Sequence, residues 1–276
     1  MAKGVTVHFL GELNGLAEEL LLKLVLNNER CSIDKQSHAW MTSRISTELE
    51  FVDFAPVVFN VSRVKSNDII LLFDFTSNGL VNNPLNRLKG TKIVITNSET
   101  TQFISNGDYK LINIIDMIHY TDEYSLNNKL DWLYSCCLSG KPIESVVDEK
   151  YWWVSQQDVA SCLHRLIGSP ENIPAFLNIC GRRGWLISET FDQLKLLFER
   201  TIAGATGQFN PTSLEHKPVI IQTLTKVNDV INSSRPDLSP LDDTLQAIDG
   251  QRWRPIVSLR TSLMHYLAMK DISHSV

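Results

Sequence analysis

The chain opens with a strand-like run, a glycine turn and an apolar helix in direct succession. Residues 5–10 form an apolar run with β-branched and aromatic side chains, and Gly11, Gly15 and Ala17 follow it. Four leucines then recur at helical spacing, at positions 13, 16, 20 and 24. This order predicts the strand–turn–helix unit that cradles a pyrophosphate, because glycines let the backbone approach the phosphates and the helix N-terminus supplies unpaired N–H groups. The residues expected to line the turn are Gly11, Asn14, Gly15 and Leu16.

Two acidic residues are candidates for the sugar-binding side of the same site. Asp34 ends a second strand-like run, residues 31–33, about twenty residues after the turn. A carboxylate there would accept hydrogen bonds from the adenine-side ribose hydroxyls. Asp53, at the end of a predicted short strand over residues 48–53, is the second candidate. The alternative for Asp34 is a solvated residue at a strand end, with Lys35 beside it.

The turn also has an ordinary structural interpretation. Glu12 and Glu18 place two carboxylates near it, and these would oppose a bound pyrophosphate electrostatically. The unit would then be a plain strand-to-helix turn in a domain that no longer binds nucleotide.

Strand-like and helix-like runs alternate along the first half of the chain. Residues 68–73 and 92–96 are continuous apolar runs, as expected for strands covered on both faces. The alternation predicts an α/β fold, a Rossmann-like doubly wound parallel sheet with right-handed crossovers. We expect a nucleotide-binding core over residues 1–150, and further core elements with a small C-terminal α/β lobe over residues 151–276. Other predicted elements are helices over 124–138, 188–200 (capped by Ser188) and 218–232, a strand over 176–181 and a final amphipathic helix.

Length and charge limit the partners of the chain. With 276 residues, a net charge of −5 and a pI near 5.8, it can bury a full core but lacks the basic surface needed for general nucleic-acid or anionic-membrane binding. No apolar run reaches the length of a transmembrane helix, and no secretory signal is present at the N-terminus. Five cysteines without paired spacing are expected to be reduced thiols. We therefore expect a cytoplasmic protein that binds neither nucleic acid nor membrane.

The sequence does not support hydrolase or metal chemistry. Its seven histidines form no His-x-x-x-His pair and no His/Cys cluster of the kind that binds zinc. There is no Gly-x-Ser-x-Gly elbow, and Cys162 and His164 cannot face each other on a helix.

Three segments occur in an order that is typical of one enzyme family. The first is the turn segment Leu10-Gly11-x-x-x-Gly15-x-Ala17. The second is Trp-Val-Ser-Gln-Gln-Asp-Val-Ala over residues 153–160, with residues 177–181 at the expected distance. The third is residues 249–259, which contain a tryptophan and a proline before the last predicted helix. Together they resemble the extended short-chain dehydrogenase/reductase family, which contains nucleotide-sugar epimerases and dehydratases, over most of the chain.

The resemblance implies an NAD or NADP cofactor and a nucleotide-sugar substrate. It also implies a Tyr–Lys pair four residues apart on one helix, whose phenol transfers a proton, and a Ser or Thr after the fifth strand that binds the reacting oxygen. The nearest matches are Tyr124 with Lys129, and Ser98 with Thr100 as its substitute. In relatives, helices after the fourth and fifth strands join two subunits. Residues 126–137 are therefore either a homodimer seam or a core-facing stripe.

Three departures from the family pattern concern the catalytic side of the site. Tyr124 and Lys129 are five residues apart, which places them ~140° apart around a regular helix instead of ~40°. Residues 73–76, Phe-Asp-Phe-Thr, are bulky and acidic where the family carries small residues that leave room for the cofactor. The segment between Leu138 and Tyr151 is shorter than the loops that close over a sugar nucleotide in active relatives.

Three hypotheses follow from the sequence. The first is an NAD(P)-binding protein with weak or lost catalysis that acts as a binding, sensing or partner subunit. The second is an active NAD(P)-dependent epimerase, dehydratase or reductase on a nucleotide sugar, with Tyr124 as acid/base, Lys129 as its activator and Ser98 as oxygen ligand. The third is a structural interaction module that binds no nucleotide.

Overall fold

A seven-stranded parallel sheet forms the centre of the protein in the computed structural model, which describes residues 4–75, 88–97, 109–120, 128–143, 149–209 and 235–270. The described strands are β1 (Thr6–Gly11), β2 (Arg30–Ile33), β3 (Val57–Val58), β4 (Ile69–Phe73), β5 (Thr91–Thr96), β6 (Lys110–Ile114), β7 (Met117–Ile118), β8 (Lys150–Tyr151), β9 (Val154–Ser155), β10 (Phe176–Ile179) and β11 (Trp185–Leu186). The sheet order is β3-β2-β1-β4-β5-β6-β10, with the chain reversing its direction of growth between β1 and β4. The predicted Rossmann-like fold is therefore confirmed.

Helices pack on one face of this sheet, and the largest apolar core of the described residues lies between them and the sheet. The described helices are α1 (Gly15–Leu26), α2 (His38–Arg44), α3 (Ser46–Leu49), α4 (Asn128–Ser139), α5 (Gln156–Ile167), α6 (Ile187–Thr206), α7 (Ser239–Asp249) and α8 (Leu259–Met269). Leu20 of α1 and Leu163 of α5 pack with Phe9 and Leu71 of the sheet, all fully buried. Burial of this kind is the main force that aligns helix and sheet, because each apolar side chain removed from water stabilises the fold by about 1.5–3 kcal/mol.

A second core lies among three later helices. Leu133 of α4, Leu194 of α6 and Leu263 of α8 are fully buried in one cluster. Trp153 joins this cluster, and its indole N–H donates to the Thr190 hydroxyl at 2.9 Å. Two further sheets have two strands each, β7 with β9 and β8 with β11. Strand β10, which follows residue 150, lies in the main sheet together with the strands of the first half. The division of the chain at residue 150 stays a prediction.

Two predicted elements differ from the structure. The strand predicted over residues 48–53 is wrong, because α3 and a turn occupy this stretch and Phe51 points into solvent with 79% exposure. The edge strand is instead the short β3. Helix α6 begins at Ile187 with Leu186 as its N-cap, so Ser188 lies inside the helix. Strand β6 has no counterpart in the sequence prediction. The predicted helix over 218–232 lies outside the described residues.

A buried polar network joins β1, β2 and the residue directly before β4. His8 Nε2 lies 3.2 Å from Asp68 Oδ2, and His8 Nδ1 lies 2.6 Å from Ser32 Oγ. A carboxylate can only accept, so Nε2–H donates to Asp68 and Nδ1 accepts from the serine hydroxyl. The N–H groups of Lys65 and Thr6 also donate to Asp68, at 2.8 and 3.0 Å. Burial would raise the pKa of Asp68, but these hydrogen bonds outweigh it and lower the pKa.

The network predicts a pH dependence of stability. Burial lowers the pKa of His8, against the opposing effect of Asp68, so the unfolded chain takes up the proton first. We expect the free energy of unfolding to fall as pH drops below about 6.5, the ordinary pKa of histidine. Urea titrations at several pH values test this, with His8→Gln as the comparison. A wild-type slope between pH 7 and 5 equal to that of His8→Gln would contradict the assignment.

Candidate functional site

The loop from β1 into α1 lies at the carboxyl edge of the sheet, beside the strand-order switch where α/β folds bind ligands. Gly11 has φ +91°, a value that residues with side chains rarely adopt. A Cβ at Gly11 would lie 2.4 Å from the Phe73 carbonyl oxygen. Glu12 N–H donates to the same oxygen at 2.8 Å. The first turn glycine is therefore required by the backbone angle and by the close approach to β4.

Asn14 caps the helix that starts at this turn. It precedes Gly15, the first residue of α1, and its Oδ1 accepts from Leu16 N–H at 3.0 Å and Ala17 N–H at 3.4 Å. These first-turn amides are the groups that a helix N-terminus offers to a phosphate. Asn14 is only 2% exposed, and its Nδ2 has no hydrogen-bond partner among the described residues. The cap therefore occupies two amides and leaves one buried donor at the turn.

Two carboxyl groups lie on the β4 side of the turn. Glu12 Oε2 accepts from Phe75 N–H at 2.9 Å, which ties the turn to the end of β4. Asp74 is 1% exposed at the same edge. The Phe73 ring stacks on Phe9 with centroids 6.0 Å apart in the core, so it does not fill space at the edge. Two acidic residues, Asp74 and Glu12, therefore lie on this side of the turn, whereas the Phe73 ring points into the core.

Asp34 lies at the same carboxyl edge, directly after β2. Its backbone N–H donates to Phe9 O at 3.0 Å, and its Oδ1 accepts from the N–H groups of Gln36 and Ser37 at 2.8 and 3.1 Å. The other oxygen, Oδ2, is buried and has no partner within the described part of the chain. A buried acceptor without a donor costs free energy. Oδ1 thus fixes the loop, and Oδ2 is available to accept a hydrogen bond from a hydroxyl group.

Asp53 lies at the opposite end of the sheet. Its backbone N–H donates to Asn28 Oδ1 at 3.1 Å, and Asn28 lies two residues before the amino end of β2. Parallel strands share one carboxyl edge, so a residue at the amino edge cannot reach the turn at Gly11. The prediction of Asp53 as a cofactor residue is therefore wrong. It failed because the strand that was predicted to end at Asp53 does not form.

Lys129 is engaged away from the turn. It lies on α4, and its Nζ is 3.4 Å from Glu149 Oε2 and 4.8 Å from the centre of the Trp132 ring. Helix α4 follows β6, so it is not the element directly after the fifth strand. Its proposed partners Tyr124 and Ser98, with Thr100, lie outside the described residues. The catalytic assignment of these residues stays a prediction, and the described contacts of Lys129 include no group of the turn.

The apolar stripe of α4 is used inside the same chain. Leu130 and Leu133 are fully buried in the core formed with α6 and α8. Trp132 and Leu138, on the remaining surface, are 37% and 45% exposed. Of the two interpretations of this stripe, the structure favours core packing, and the homodimer stays a prediction.

Comparison by sequence identifies no relative. The sequence matches no protein-family model and none of the curated proteins with which it was compared. Among the described residues, no helix has the length and apolar character needed to span a membrane, and no group of three or more His, Cys, Asp or Glu side chains is arranged to hold a metal.

Comparison by structure finds similar folds. Gre2 from Candida albicans, solved with NADPH, matches with a TM-score of 0.53 and 12% identity over 98% of this chain and 99% of that one. UDP-glucuronic acid 4-epimerase from Bacillus cereus, solved with NAD and a substrate analogue, matches at 0.54 and 12% over 97% and 100%. dTDP-glucose 4,6-dehydratase from Bacillus anthracis, with NAD, matches at 0.52 and 9% over 96% of both chains.

These matches define the class of fold. The chain shares its fold with these solved structures along nearly its whole length. The resemblance to the extended short-chain dehydrogenase/reductase family is thereby confirmed at the level of the fold. At 9–12% identity, the matches carry no residue roles over to this chain.

Two features of the turn were not found from the sequence. The cap by Asn14 had a local signal, because Asn is a preferred residue directly before a helix. The contact of Glu12 with Phe75 joins residues 63 positions apart, and no local pattern indicates it.

Proposed function

We propose that the protein binds an adenine dinucleotide, NAD(H) or NADP(H), at the Gly11 turn and has lost the Tyr–Lys chemistry of its structural relatives. It would act as a binding, sensing or partner subunit. The observation that carries the proposal is the position of Asp34: a carboxylate at the carboxyl edge, beside the strand-order switch, with one buried oxygen lacking a donor.

The residues at the turn fit a dinucleotide with one adjustment. Gly11 lets the backbone turn without a side chain at the strand-order switch, and the buried Nδ2 of Asn14 is a donor for a phosphate oxygen. The N–H groups of Leu16 and Ala17 donate to the Asn14 side chain, and these two hydrogen bonds must break before the groups can bind the pyrophosphate. The ribose hydroxyls would donate to Asp34 Oδ2. A bound dinucleotide supplies hydride chemistry, which this chain's residues would leave unused.

Loss of catalysis is supported by the surroundings of Lys129. An amine that lowers the pKa of a phenol and holds a ribose must lie at the cofactor, whereas Lys129 contacts Glu149 and the Trp132 ring. Its helix packs into the second core through Leu133, which limits its freedom to turn. The buried Asp74 adds a carboxyl side chain at the edge where a hydride acceptor would lie.

Calorimetry with NAD, NADH, NADP and NADPH tests the binding. We expect micromolar affinity for at least one form, and Asp34→Ala to weaken it by about 1–3 kcal/mol, because a charged acceptor is lost. Asp53→Ala is the matched control, since it removes an exposed aspartate at the opposite edge. Equal affinity of wild type and Asp34→Ala would remove Asp34 from the site.

Turnover separates the proposal from an active enzyme. We expect no change in NADH absorbance when the protein is mixed with nucleotide sugars, because no activated phenol is available. A change that Tyr124→Phe abolishes would contradict the loss of catalysis. It would instead support an epimerase, dehydratase or reductase that uses Tyr124, Lys129 and Ser98.

A module that binds no nucleotide is the second candidate. It is favoured by the hydrogen bonds that the turn already makes within the chain. The Asn14 side chain accepts from the N–H groups of Leu16 and Ala17, and the Glu12 side chain accepts from that of Phe75. Failure of the protein to bind any of the four dinucleotides would decide for this candidate.

A further inference from the structure

The amides at the start of α1 already have an acceptor inside the chain. Asn14 Oδ1 accepts from the N–H groups of Leu16 and Ala17, at 3.0 and 3.4 Å. A phosphate bound at a helix N-terminus accepts from amides of the same first turn. The side-chain oxygen of Asn14 and a phosphate oxygen therefore compete for the same two donors.

The other half of the Asn14 carboxamide is a donor without an acceptor. Asn14 is 2% exposed, and its Nδ2 has no hydrogen-bond partner among the described residues. Oδ1 and Nδ2 belong to one planar group, so half a turn about the Cβ–Cγ bond exchanges their positions. That rotation takes the acceptor away from the Leu16 and Ala17 amides and brings a third donor beside them. Three neighbouring donors fit an anion with several oxygens, such as a phosphate.

The carboxylates near the turn make contacts elsewhere. Glu12 Oε2 accepts from the Phe75 N–H at 2.9 Å, and Glu18 Oε2 lies 3.3 Å from Arg44 Nη1. Neither contact involves the two amides that Asn14 caps. Among the described side chains, the competitor for these amides is therefore the neutral carboxamide of Asn14.

We propose that the Asn14 carboxamide is a two-position switch that regulates phosphate binding at the turn. The turn is closed when Oδ1 accepts from Leu16 and Ala17, and it is open when the group has rotated. The switch rests on the proposed function, because it regulates the same site. A dinucleotide must break two hydrogen bonds inside the chain to bind, so the switch lowers the affinity for any ligand with a phosphate at this turn. A sensing subunit of this kind responds only when the dinucleotide is abundant enough to open the turn.

Replacing Asn14 by glycine opens the turn permanently. A ligand then has no hydrogen bonds to break at Oδ1, and only one donor, Nδ2, is lost. This net difference of one hydrogen bond predicts about fivefold higher affinity, measured by calorimetry, for the four dinucleotides and for inorganic pyrophosphate. Loss of a cap that only stabilises α1 would not raise the affinity. Asn27→Gly, the same replacement at the exposed C-cap of α1, is the control and leaves the affinities unchanged.

Replacing Asn14 by aspartate closes the turn permanently. The carboxylate has the shape of the carboxamide and accepts from the same amides, but rotation brings no donor. We expect the affinity for the same ligands to fall by about tenfold or more, because the charged acceptor binds the amides more strongly and repels a phosphate. Asn172→Asp adds the same charge at an exposed residue before the amino end of β10 and should have no effect.

The results distinguish failure of the switch from failure of the proposed function. If the wild type binds a dinucleotide and Asn14→Gly does not bind it more tightly, the switch is wrong and the proposed function stands. If the wild type fails to bind and Asn14→Gly binds, the switch is supported and the proposed function is wrong. Absence of binding in both proteins overturns both. Circular dichroism checks the folding of each variant, and Asn14→Gly decides the question if Asn14→Asp does not fold.

Discussion

Replacing Gly11 by alanine is expected to destabilise the protein by about 3–5 kcal/mol, near the upper end for a single substitution. Two costs add at this position. An alanine must adopt φ +91°, outside the range that L-residues favour, at a cost of about 1–2 kcal/mol. Its Cβ would also meet the Phe73 carbonyl oxygen at 2.4 Å, so β1 or β4 must move. Urea denaturation followed by circular dichroism measures the loss.

Gly140 provides the matched control for the Gly11 prediction. It also has a positive φ, +63°, but a Cβ there would meet no atom of the described residues within 4 Å. Gly140→Ala should therefore cost only the conformational term, about 1 kcal/mol. Equal losses for the two variants would show that the close approach to β4 contributes nothing. Loss of dinucleotide binding by a folded Gly11→Ala protein would further support the site at the turn.

Replacing Asp158 by alanine is expected to cost about 3 kcal/mol, because three hydrogen bonds to its carboxylate are lost together. Asp158 is 6% exposed at the start of α5. Its oxygens accept from the N–H groups of Ile256 and Val257 at 2.9 and 3.0 Å, and from the Ser155 hydroxyl at 2.8 Å. The carboxylate thus holds the segment before α8 against the start of α5.

Two variants and one local measurement control the Asp158 prediction. Asp158→Asn keeps one acceptor oxygen and should lose less than alanine, whereas Asp243→Ala removes an exposed carboxylate and should change little. Hydrogen exchange of the amides of Ile256 and Val257 should accelerate in Asp158→Ala before the main sheet opens. Unchanged exchange at these two amides would contradict the role assigned to the carboxylate.

The elements with strong local patterns were predicted well, and those without them were not. The runs that became β1, α1, β4 and β5 are dominated by apolar periodicity, and the structure has them within a few residues. The stretch 48–53 also alternates polar and apolar residues, but Phe51 is 79% exposed, and α3 forms instead. The edge strand β3 is two residues long, too short to leave a periodic signal.

The candidate site shows the same division. Gly11 and the helix start at Gly15 follow from local chemistry, because a strand, a turn and a helix need particular backbone angles. The position of Asp34 at the turn and of Asp53 at the far edge depends on which strands form and in which order. The distance between Tyr124 and Lys129 in the sequence indicated that their side chains diverge. The contact of Lys129 with Glu149 is a further feature that only the folded chain contains.

By itself, the sequence determined the class of sheet and the glycine turn, and it contains the five-residue spacing between Tyr124 and Lys129. These are properties of neighbouring residues, whose hydrogen bonds and side-chain periodicity act within one element. Only the tertiary structure decided which carboxylates meet the turn, that the α4 leucines face inward, and that apolar side chains around the edge strand β3 stay exposed. Those outcomes depend on contacts between residues that lie dozens of positions apart, and they are settled when the whole core packs.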